Sequence, residues 1–178
     1  MKDKSTILLL GYRATGKTTC GKILAKRLGW RFFDMDKALK ERFGKNIDEV
    51  VEVMGWGAFR AEEKRLLHEI LTSPHYEMCV VSTGGGVVLH QELLEKIPPH
   101  IITVWLKASP TTIAKRMSLD GNTAKDRPPL TQLSDPISEI QEVLNEREPL
   151  YRRFSHMTID VDGLTPHEIS ERIARHAW

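Results

Sequence analysis

The feature that most constrains this sequence is the segment 11–18, G-Y-R-A-T-G-K-T, which directly follows the apolar run 7–10. A buried strand followed by the pattern Gly-x-x-x-x-Gly-Lys-Thr points successive backbone N–H groups and a helix N-terminus at one spot. This geometry holds polyphosphate oxygens. The segment therefore predicts a nucleotide-binding phosphate loop, and the preceding strand disfavours an incidental glycine-rich turn.

The residue types of this loop predict separate tasks. Gly11 and Gly16 supply turn conformations that are closed to residues with a Cβ, Lys17 should reach the β- and γ-phosphates, and the Thr18 hydroxyl is placed to ligate Mg²⁺. We expect ATP to contact the following loop residues: Gly11, Ala14, Thr15, Gly16, Lys17, Thr18 and Thr19.

Composition narrows the class of protein. With 178 residues and 40% hydrophobic content, the chain is long enough for one well-buried core and short for two domains, so we expect a single domain over 1–178. Lys+Arg 26 against Asp+Glu 24 leaves a net charge of +2, which argues against a dedicated nucleic-acid surface and favours a small-molecule partner.

The cysteines and the N-terminal residues indicate the cellular compartment in which the protein is expected. Cys20 and Cys79 are isolated and lack metal-ligand spacing, so we expect buried thiols in a reducing compartment and no disulfide or zinc site. The N-terminal apolar run is too short for a signal peptide or a spanning helix. We therefore expect a cytoplasmic protein with no membrane partner. We also expect a monomer.

The order of apolar runs predicts an α/β fold. Short strands are predicted at 6–10, 31–33, 78–82, 101–106 and 157–159, separated by segments with helical periodicity. This alternation implies a parallel sheet with helices on both faces. Helix starts are predicted where a capping residue precedes proline, at 109–110, 135–136 and 165–166, the last with Glu168 completing a capping box.

The stretch 118–131 is dense in turn formers and charge, and it has little apolar periodicity. It predicts a mobile loop, either a plain surface connection or a lid over about 118–130 that shields phosphoryl transfer from water.

Two aspartates follow the second predicted strand, where strands of an open α/β sheet deliver ligand-binding groups. Asp34 could help hold Mg²⁺ through water, and Asp36 could accept a hydrogen bond or proton from an attacking hydroxyl. The alternative is that Asp36 only caps a helix over 37–43.

A glycine triplet and three arginines complete the candidates. Gly84, Gly85 and Gly86 follow a buried-looking strand and permit either close backbone approach to a ligand or only a sharp turn. Arg60 lies on a predicted helix over 57–71, with Glu63 one turn along and close enough to orient its guanidinium.

The other two arginines are Arg147, just before Pro149 where we expect a helix to end, and Arg127 in the predicted lid. Each arginine taken alone is either a solvated surface residue or a bidentate partner for carboxylate or phosphate.

Together these segments resemble the shikimate kinase family, small P-loop kinases of the aromatic amino-acid pathway. The resemblance covers almost the whole chain, and the Trp56 segment is most like the shikimate kinase II subgroup. It rests on six segments in matching order and spacing: G-Y-R-A-T-G-K-T-T at 11–19, F-D-M-D at 33–36, W-G-A-F-R-A-E-E at 56–63, S-T-G-G-G at 82–86, R-P-P-L-T at 127–131 and N-E-R-E-P-L-Y at 145–151.

The resemblance implies a P-loop kinase fold with a five-stranded parallel sheet in order 2-3-1-4-5 and a substrate-binding region over about 34–62. It implies that ATP phosphorylates the 3-hydroxyl of shikimate, and Thr18 and Asp34 are the Mg²⁺ ligands already expected from the residues above. Carried over to this chain, the substrate-binding residues are Asp36, Arg60, Gly84, Gly85, Gly86 and Arg147. Arg127 would reach the transferring phosphoryl group, so the catalytic residues are Lys17, Asp36 and Arg127. Arg116 matches the arginine that packs over adenine.

Two departures from the family pattern are visible. Position 14 is Ala where the loop commonly has Gly, and the lid is longer than in many relatives. A methyl group at position 14 should be tolerated if the backbone keeps φ below zero.

Two other functions compete with this interpretation. A kinase of another hydroxy acid such as gluconate is disfavoured by the F-R, G-G-G and R-P-P-L segments together. A nucleotide-dependent switch is disfavoured because no Asn-Lys-x-Asp motif is present and because Lys17 and Asp36 are retained.

Overall fold

The structure, a computed structural model, describes residues 6–119, 129–131 and 135–177. Its strands are Thr6–Leu10 (β1), Arg31–Asp34 (β2), Cys79–Ser82 (β3), Ile101–Lys107 (β4) and Met157–Asp160 (β5). Its α-helices are Lys17–Leu28 (α1), Met35–Phe43 (α2), Ile47–Thr72 (α3), Gln91–Leu94 (α4), Pro110–Leu119 (α5), Pro136–Phe154 (α6) and Pro166–Ala177 (α7).

The strands form one parallel sheet in the order β2-β3-β1-β4-β5, which confirms the predicted fold. β1 pairs with β3 on one side and β4 on the other, so the strand order reverses at β1. In open α/β sheets, ligands bind at the carboxyl ends of the strands beside such a reversal. The loops after β1, β2 and β3 are therefore the segments to inspect for a site.

Side chains of β1 alternate between two hydrophobic clusters, one on each face of the sheet. Leu8 and Leu10 pack into a cluster that α2 and α3 cover, and Ile7 and Leu9 pack into a cluster covered by α1, α5 and α7. α6 contributes to both clusters. All five β1 residues are buried, as expected for a central strand with helices on both sides.

Local signals at helix starts agree with the prediction. α5, α6 and α7 begin at the three expected prolines. Asp135 accepts a hydrogen bond from the backbone N–H of Ser138 at 2.8 Å. Glu168 accepts from the backbone N–H of Thr165 at 2.7 Å and donates its own N–H to the Thr165 hydroxyl at 3.3 Å, which completes the capping box.

The helix predicted over 57–71 is longer than expected. α3 begins at Ile47, where Asn46 and Glu49 form a capping box, and it is interrupted at Gly55, whose φ of 81° and ψ of 164° are not helical. The interruption separates two helical pieces, and the prediction found only the second.

The expected helix end near Pro149 is wrong, because α6 continues to Phe154. Proline removes the hydrogen bond to the carbonyl four residues earlier, which belongs to Asn145. Pro149 and Asn145 are both exposed, so water can satisfy that carbonyl. Tyr151 and Phe154 are buried in the core and hold the last turn in place.

The predicted lid is described only at its ends. Ser118 and Leu119, expected to be loop, belong to α5, and Leu130 packs against the second hydrophobic cluster. Residues 120–128 of the predicted lid, Arg127 included, lie outside the described residues.

Cys20 and Cys79 are buried and free, and burial raises the pKa of each thiol to about 11. In the part of the chain that the structure describes, no helix combines the length and the apolar character needed to cross a membrane.

Candidate active site

The phosphate loop leaves β1 and leads directly into α1. Gly11 has φ 142° and Gly16, the residue before α1, has φ 95°, so both occupy conformations that favour glycine. A Cβ on Gly11 would lie 2.6 Å from the Leu106 carbonyl oxygen, which makes this glycine necessary for steric reasons as well. The first turn of α1 contains no acidic residue, so its N–H groups and partial positive charge favour an anion.

Lys17 is buried under this loop. Its ammonium donates to the carbonyl oxygens of Gly11 and Tyr12, each at 2.7 Å. The Thr15 hydroxyl donates to the same Tyr12 carbonyl at 2.9 Å. These bonds hold the loop in shape and place a positive charge where the prediction puts the ATP phosphates.

A methyl group at position 14 was predicted to be tolerated if the backbone φ stayed below zero, and Ala14 does not meet this condition. Its φ is 61°, in the left-handed region, and not below zero. For a residue with a Cβ this conformation costs about 1–2 kcal/mol relative to the right-handed region. Nearby, the Arg116 guanidinium donates to the Ala14 carbonyl at 3.3 Å, which brings α5 to the phosphate loop. That Arg116 packs over adenine stays a prediction.

The two predicted metal ligands lie together. The Thr18 hydroxyl donates to Asp34 Oδ2 at 2.8 Å and lies 3.3 Å from the hydroxyl of Ser82, which the sequence prediction did not include. The described residues contain no group of three or more His, Cys, Asp or Glu side chains that could hold a metal. This donor set fits Mg²⁺, which typically uses one or two protein ligands plus phosphate and water oxygens.

The helix cap at α2 is Asp34 and not Asp36. Asp34 Oδ1 accepts from the backbone N–H of Lys37 at 3.1 Å, and the helix already begins at Met35. Asp36 lies in the first turn, and its Oδ1 would be 3.1 Å from a Cβ placed on Gly84. The alternative that Asp36 only caps the helix is therefore wrong, and its carboxylate faces the glycine triplet.

A cleft opens beside the phosphate loop. Asp36, Arg60, Arg147 and the glycine triplet all line it. It is completed by Tyr12, Arg13, Ile47, Trp56, Phe59, Glu63 and Leu130.

α3 supplies one wall of the cleft. The Arg60 guanidinium carbon lies 5.1 Å from the centre of the Trp56 ring and 5.3 Å from that of Phe59, within cation–π range. Arg60 Nη1 donates to Glu63 Oε2 at 2.6 Å, as the helical spacing predicted. The aromatic rings and the carboxylate together fix the position of the guanidinium.

Glu63 is almost completely buried, with 1% exposure. Burial alone would raise the pKa of its carboxyl, but hydrogen bonds from His90 and Arg60 and the Arg60 charge outweigh burial and lower it. Glu63 Oε1 is buried without a hydrogen-bond partner among the described residues. A Cβ on Gly84 would lie 2.7 Å from this oxygen, so glycine is required there for close packing.

The glycine triplet supplies the opposite wall. A Cβ on Gly86 would overlap the Arg60 guanidinium. The Gly85 carbonyl accepts hydrogen bonds from Arg147 Nη1, at 3.1 Å, and from the Tyr151 hydroxyl. The absence of side chains thus allows two arginines to approach the same backbone segment.

Arg147 is a buried cation, with 6% exposure. Among the described residues, its Nε has no hydrogen-bond partner and no carboxylate forms an ion pair with it. Leaving a buried charge without a counterion is costly. An anionic ligand in the cleft would remove that cost.

Known proteins are similar to this chain in sequence and in fold. The family model described as shikimate kinase matches residues 13–177. The chain belongs to the shikimate kinase family.

Relatives match over nearly the full length. The chain is 36% identical to a shikimate kinase of Thermodesulfovibrio yellowstonii over 95% of this chain and 92% of the relative. It is 38% identical to shikimate kinase 2 of Yersinia enterocolitica over 94% and 92% of the two chains. The structure of a shikimate kinase from Acinetobacter baumannii in complex with shikimate superposes with a TM-score of 0.85, at 30% identity, over 96% of this chain and 91% of that one.

For this member of the shikimate kinase family, the predicted residues fall into two adjoining groups. Apart from Arg127, which lies outside the described residues, the residues predicted for nucleotide and metal lie in or beside the phosphate loop, and those predicted for the acid line the cleft. Sequence reasoning missed Tyr12 and Arg13, which lie in the variable positions of the phosphate loop and carry no signal of their own. Trp56 could have been found, because it precedes Arg60 by four positions on the same helix, whereas the spacing of Phe59, one position before Arg60, carries no such signal.

Proposed function

We propose that this protein transfers the γ-phosphoryl group of ATP to the 3-hydroxyl of shikimate, giving shikimate 3-phosphate and ADP, in aromatic amino-acid biosynthesis. The observation that carries the proposal is the buried Arg147, which has no acidic partner in the described part of the chain and lies in a cleft beside the phosphate loop. Membership of the family supports the same reaction.

The chemistry of the cleft suits a small hydroxylated acid. A ring that bears a carboxylate and several hydroxyls needs a fixed anion anchor and hydrogen-bond acceptors. Arg60 and Arg147 would bind the carboxylate, and Asp36 would accept from a hydroxyl. The aromatic rings of Trp56 and Phe59 give the cleft an apolar wall for the ring carbons.

The phosphoryl acceptor would lie next to the donor. A Cβ on Gly85 would be 3.4 Å from the backbone nitrogen of Arg13 and 3.6 Å from the Gly11 carbonyl oxygen, so the cleft and the phosphate loop share a boundary. Asp36 would orient the attacking hydroxyl and accept its proton. Catalysis is then mainly positioning and charge neutralisation, with Lys17 at the phosphates.

Thr18 and Asp34 would hold Mg²⁺, which neutralises phosphate charge when bound. We also propose that Arg127 stabilises the transferring phosphoryl group and that Arg116 contacts the nucleotide base. The Arg116 assignment is supported by its bond to the Ala14 carbonyl in the phosphate loop.

The decisive experiment measures ADP release with shikimate, quinate and gluconate as acceptors at saturating ATP and Mg²⁺. Efficient turnover of shikimate with little turnover of the other two acids is expected. Comparable turnover of all three would overturn the assignment. The methyl ester of shikimate is the matched control, because it keeps the hydroxyls and removes the charge that Arg60 and Arg147 are proposed to bind.

We propose further that residues 1–178 form a single domain that acts as a monomer in the cytoplasm. The single five-stranded sheet supports one domain, and the two buried free thiols are compatible with a reducing compartment. Size-exclusion chromatography with light scattering would test the oligomeric state.

A further inference from the structure

His90 is a buried histidine that the reaction outlined above does not use. It directly follows the short 3-10 helix Val87–Leu89, which continues from the glycine triplet, and it precedes α4. Its exposure is 6%. Its Nε2 lies 2.9 Å from Glu63 Oε2, across a gap of 27 positions in sequence.

The Glu63 carboxylate receives hydrogen bonds from both walls of the cleft. Oε2 accepts from Arg60 on α3 at 2.6 Å and contacts His90 on the segment after the glycine triplet. An ionised carboxylate has only acceptors, so Nε2 of His90 carries the hydrogen in this contact. Because Oε1 has no hydrogen-bond partner among the described residues, His90 is the contact that ties Glu63 to the opposite wall.

The segment 86–90 meets α3 at both of its ends. Gly86 packs directly against the Arg60 guanidinium, and His90 contacts the carboxylate that holds the same guanidinium. The separation of the two walls, and with it the position of Arg60 over the cleft, therefore depends on this segment. The His90 contact is the polar one among those that set it, because Val87 and Val88 of the same segment pack in the hydrophobic cluster that α3 covers.

We propose that His90 is a positioning residue for recognition of the substrate carboxylate: its Nε2–H holds Glu63, and Glu63 holds Arg60. This inference rests on the proposed function, since it assumes that Arg60 binds the carboxylate of the acid substrate. His90 itself does not touch the substrate. It acts through two intervening side chains, so its removal should weaken binding of the acid and leave ATP binding unchanged.

The test uses two substitutions in the full-length chain. His90→Leu removes the donor and keeps an apolar side chain, whereas His90→Gln keeps an N–H donor at a similar reach. We expect His90→Leu to raise KM for shikimate roughly tenfold, with KM for ATP unchanged, and His90→Gln to restore KM to within about threefold of the wild type.

Combination with Arg60→Ala separates positioning from general destabilisation. If His90 acts through Arg60, His90→Leu should change KM for shikimate less than about twofold in the Arg60→Ala background. An equal effect in both backgrounds would overturn the proposal. A rise in KM for ATP equal to that for shikimate would also overturn it. The same holds if KM for shikimate is no lower in His90→Gln than in His90→Leu.

A measurement on the wild type decides the question if the leucine variant does not fold. In protein labelled with ¹⁵N-histidine, the ring nitrogens of His90 should report an Nε2–H, and their shifts should change on saturation with shikimate. The other tautomer, or shifts unaffected by shikimate, would contradict the proposal. Turnover of shikimate by the wild type is measured first, so that failure of the proposed function is recognised separately.

Discussion

Gly86→Ala should weaken binding of the acid substrate by displacing Arg60. Gly86 has φ −96° and ψ 2°, which alanine also adopts, so backbone strain contributes little. The three atoms nearest to the added Cβ all belong to the Arg60 guanidinium, which is at the flexible end of its side chain. We therefore expect the chain to fold and the guanidinium to move out of its position over the cleft.

The magnitude follows from the interaction that is lost. A hydrogen bond to a charged group contributes about 1.5–3 kcal/mol, which corresponds to a rise in KM for shikimate of roughly ten- to a hundredfold or more. KM for ATP should stay the same. The displaced guanidinium also weakens its bond with the buried Glu63, so the free energy of unfolding should fall by about 1–3 kcal/mol.

Gly57→Ala is the matched control, because Gly57 is exposed on the same helix as Arg60 and a Cβ there meets nothing within 4 Å. It should leave both KM values unchanged and slightly raise stability. Steady-state kinetics and urea unfolding of both variants measure the difference. An unchanged KM for shikimate in Gly86→Ala would refute the reasoning. A full effect that persists in the Arg60→Ala background would also refute it, since the methyl group would then block the substrate directly.

Three further predictions concern the rest of the site. Asp36→Asn should lower kcat by roughly 10²- to 10⁴-fold at saturating Mg²⁺, and near-normal turnover of this variant would remove Asp36 from the mechanism. Asp34→Asn should chiefly raise the Mg²⁺ concentration needed for activity, because the Asn side chain can still cap α2. Ala14→Gly should relieve the left-handed conformation at φ 61° and stabilise the protein by about 1 kcal/mol, seen as a rise in Tm of roughly 2–4 °C; a lower Tm would contradict this. For Glu63, the pKa lowered in the folded state means that the charged carboxylate stabilises the protein above pH about 4.5 and loses this contribution as pH falls through the folded-state pKa. The stability difference between the wild type and Glu63→Gln in urea should therefore shrink on acidification, and a difference independent of pH between 3 and 7 would count against it.

The elements of the fold could be predicted because their signals are local. The alternating apolar runs of the strands, the capping residues before the prolines and the glycines of the phosphate loop each act within a few residues. The spacing between Arg60 and Glu63 is similarly local, and the structure shows the predicted bond. Such features depend on residues that are close in sequence, so the sequence alone is enough to predict them.

The features that were predicted wrongly or missed depend on contacts between segments distant in sequence or on the geometry of a whole loop. Pro149 does not end α6, because Tyr151 and Phe154 are anchored in the core. His90 and Glu63 are 27 positions apart, and no sequence motif links the two segments that bring them into contact. The positive φ of Ala14 belongs to the geometry of the whole loop and cannot be read from alanine, which normally avoids that conformation.

The order of the strands explains why the nucleotide and acid sites adjoin. β1 pairs with β3, with Leu9 opposite Ser82, so the phosphate loop and the glycine triplet leave the sheet side by side. Gly85 then packs against the backbone of the phosphate loop, while its carbonyl accepts from Arg147 and Tyr151. We expect a shift of the phosphate loop to be transmitted to the carbonyl that accepts from Arg147, since no side chain at Gly85 separates the two backbones. If Arg147 binds the substrate carboxylate as proposed, this contact would couple the geometry of that anion anchor to that of the proposed nucleotide site.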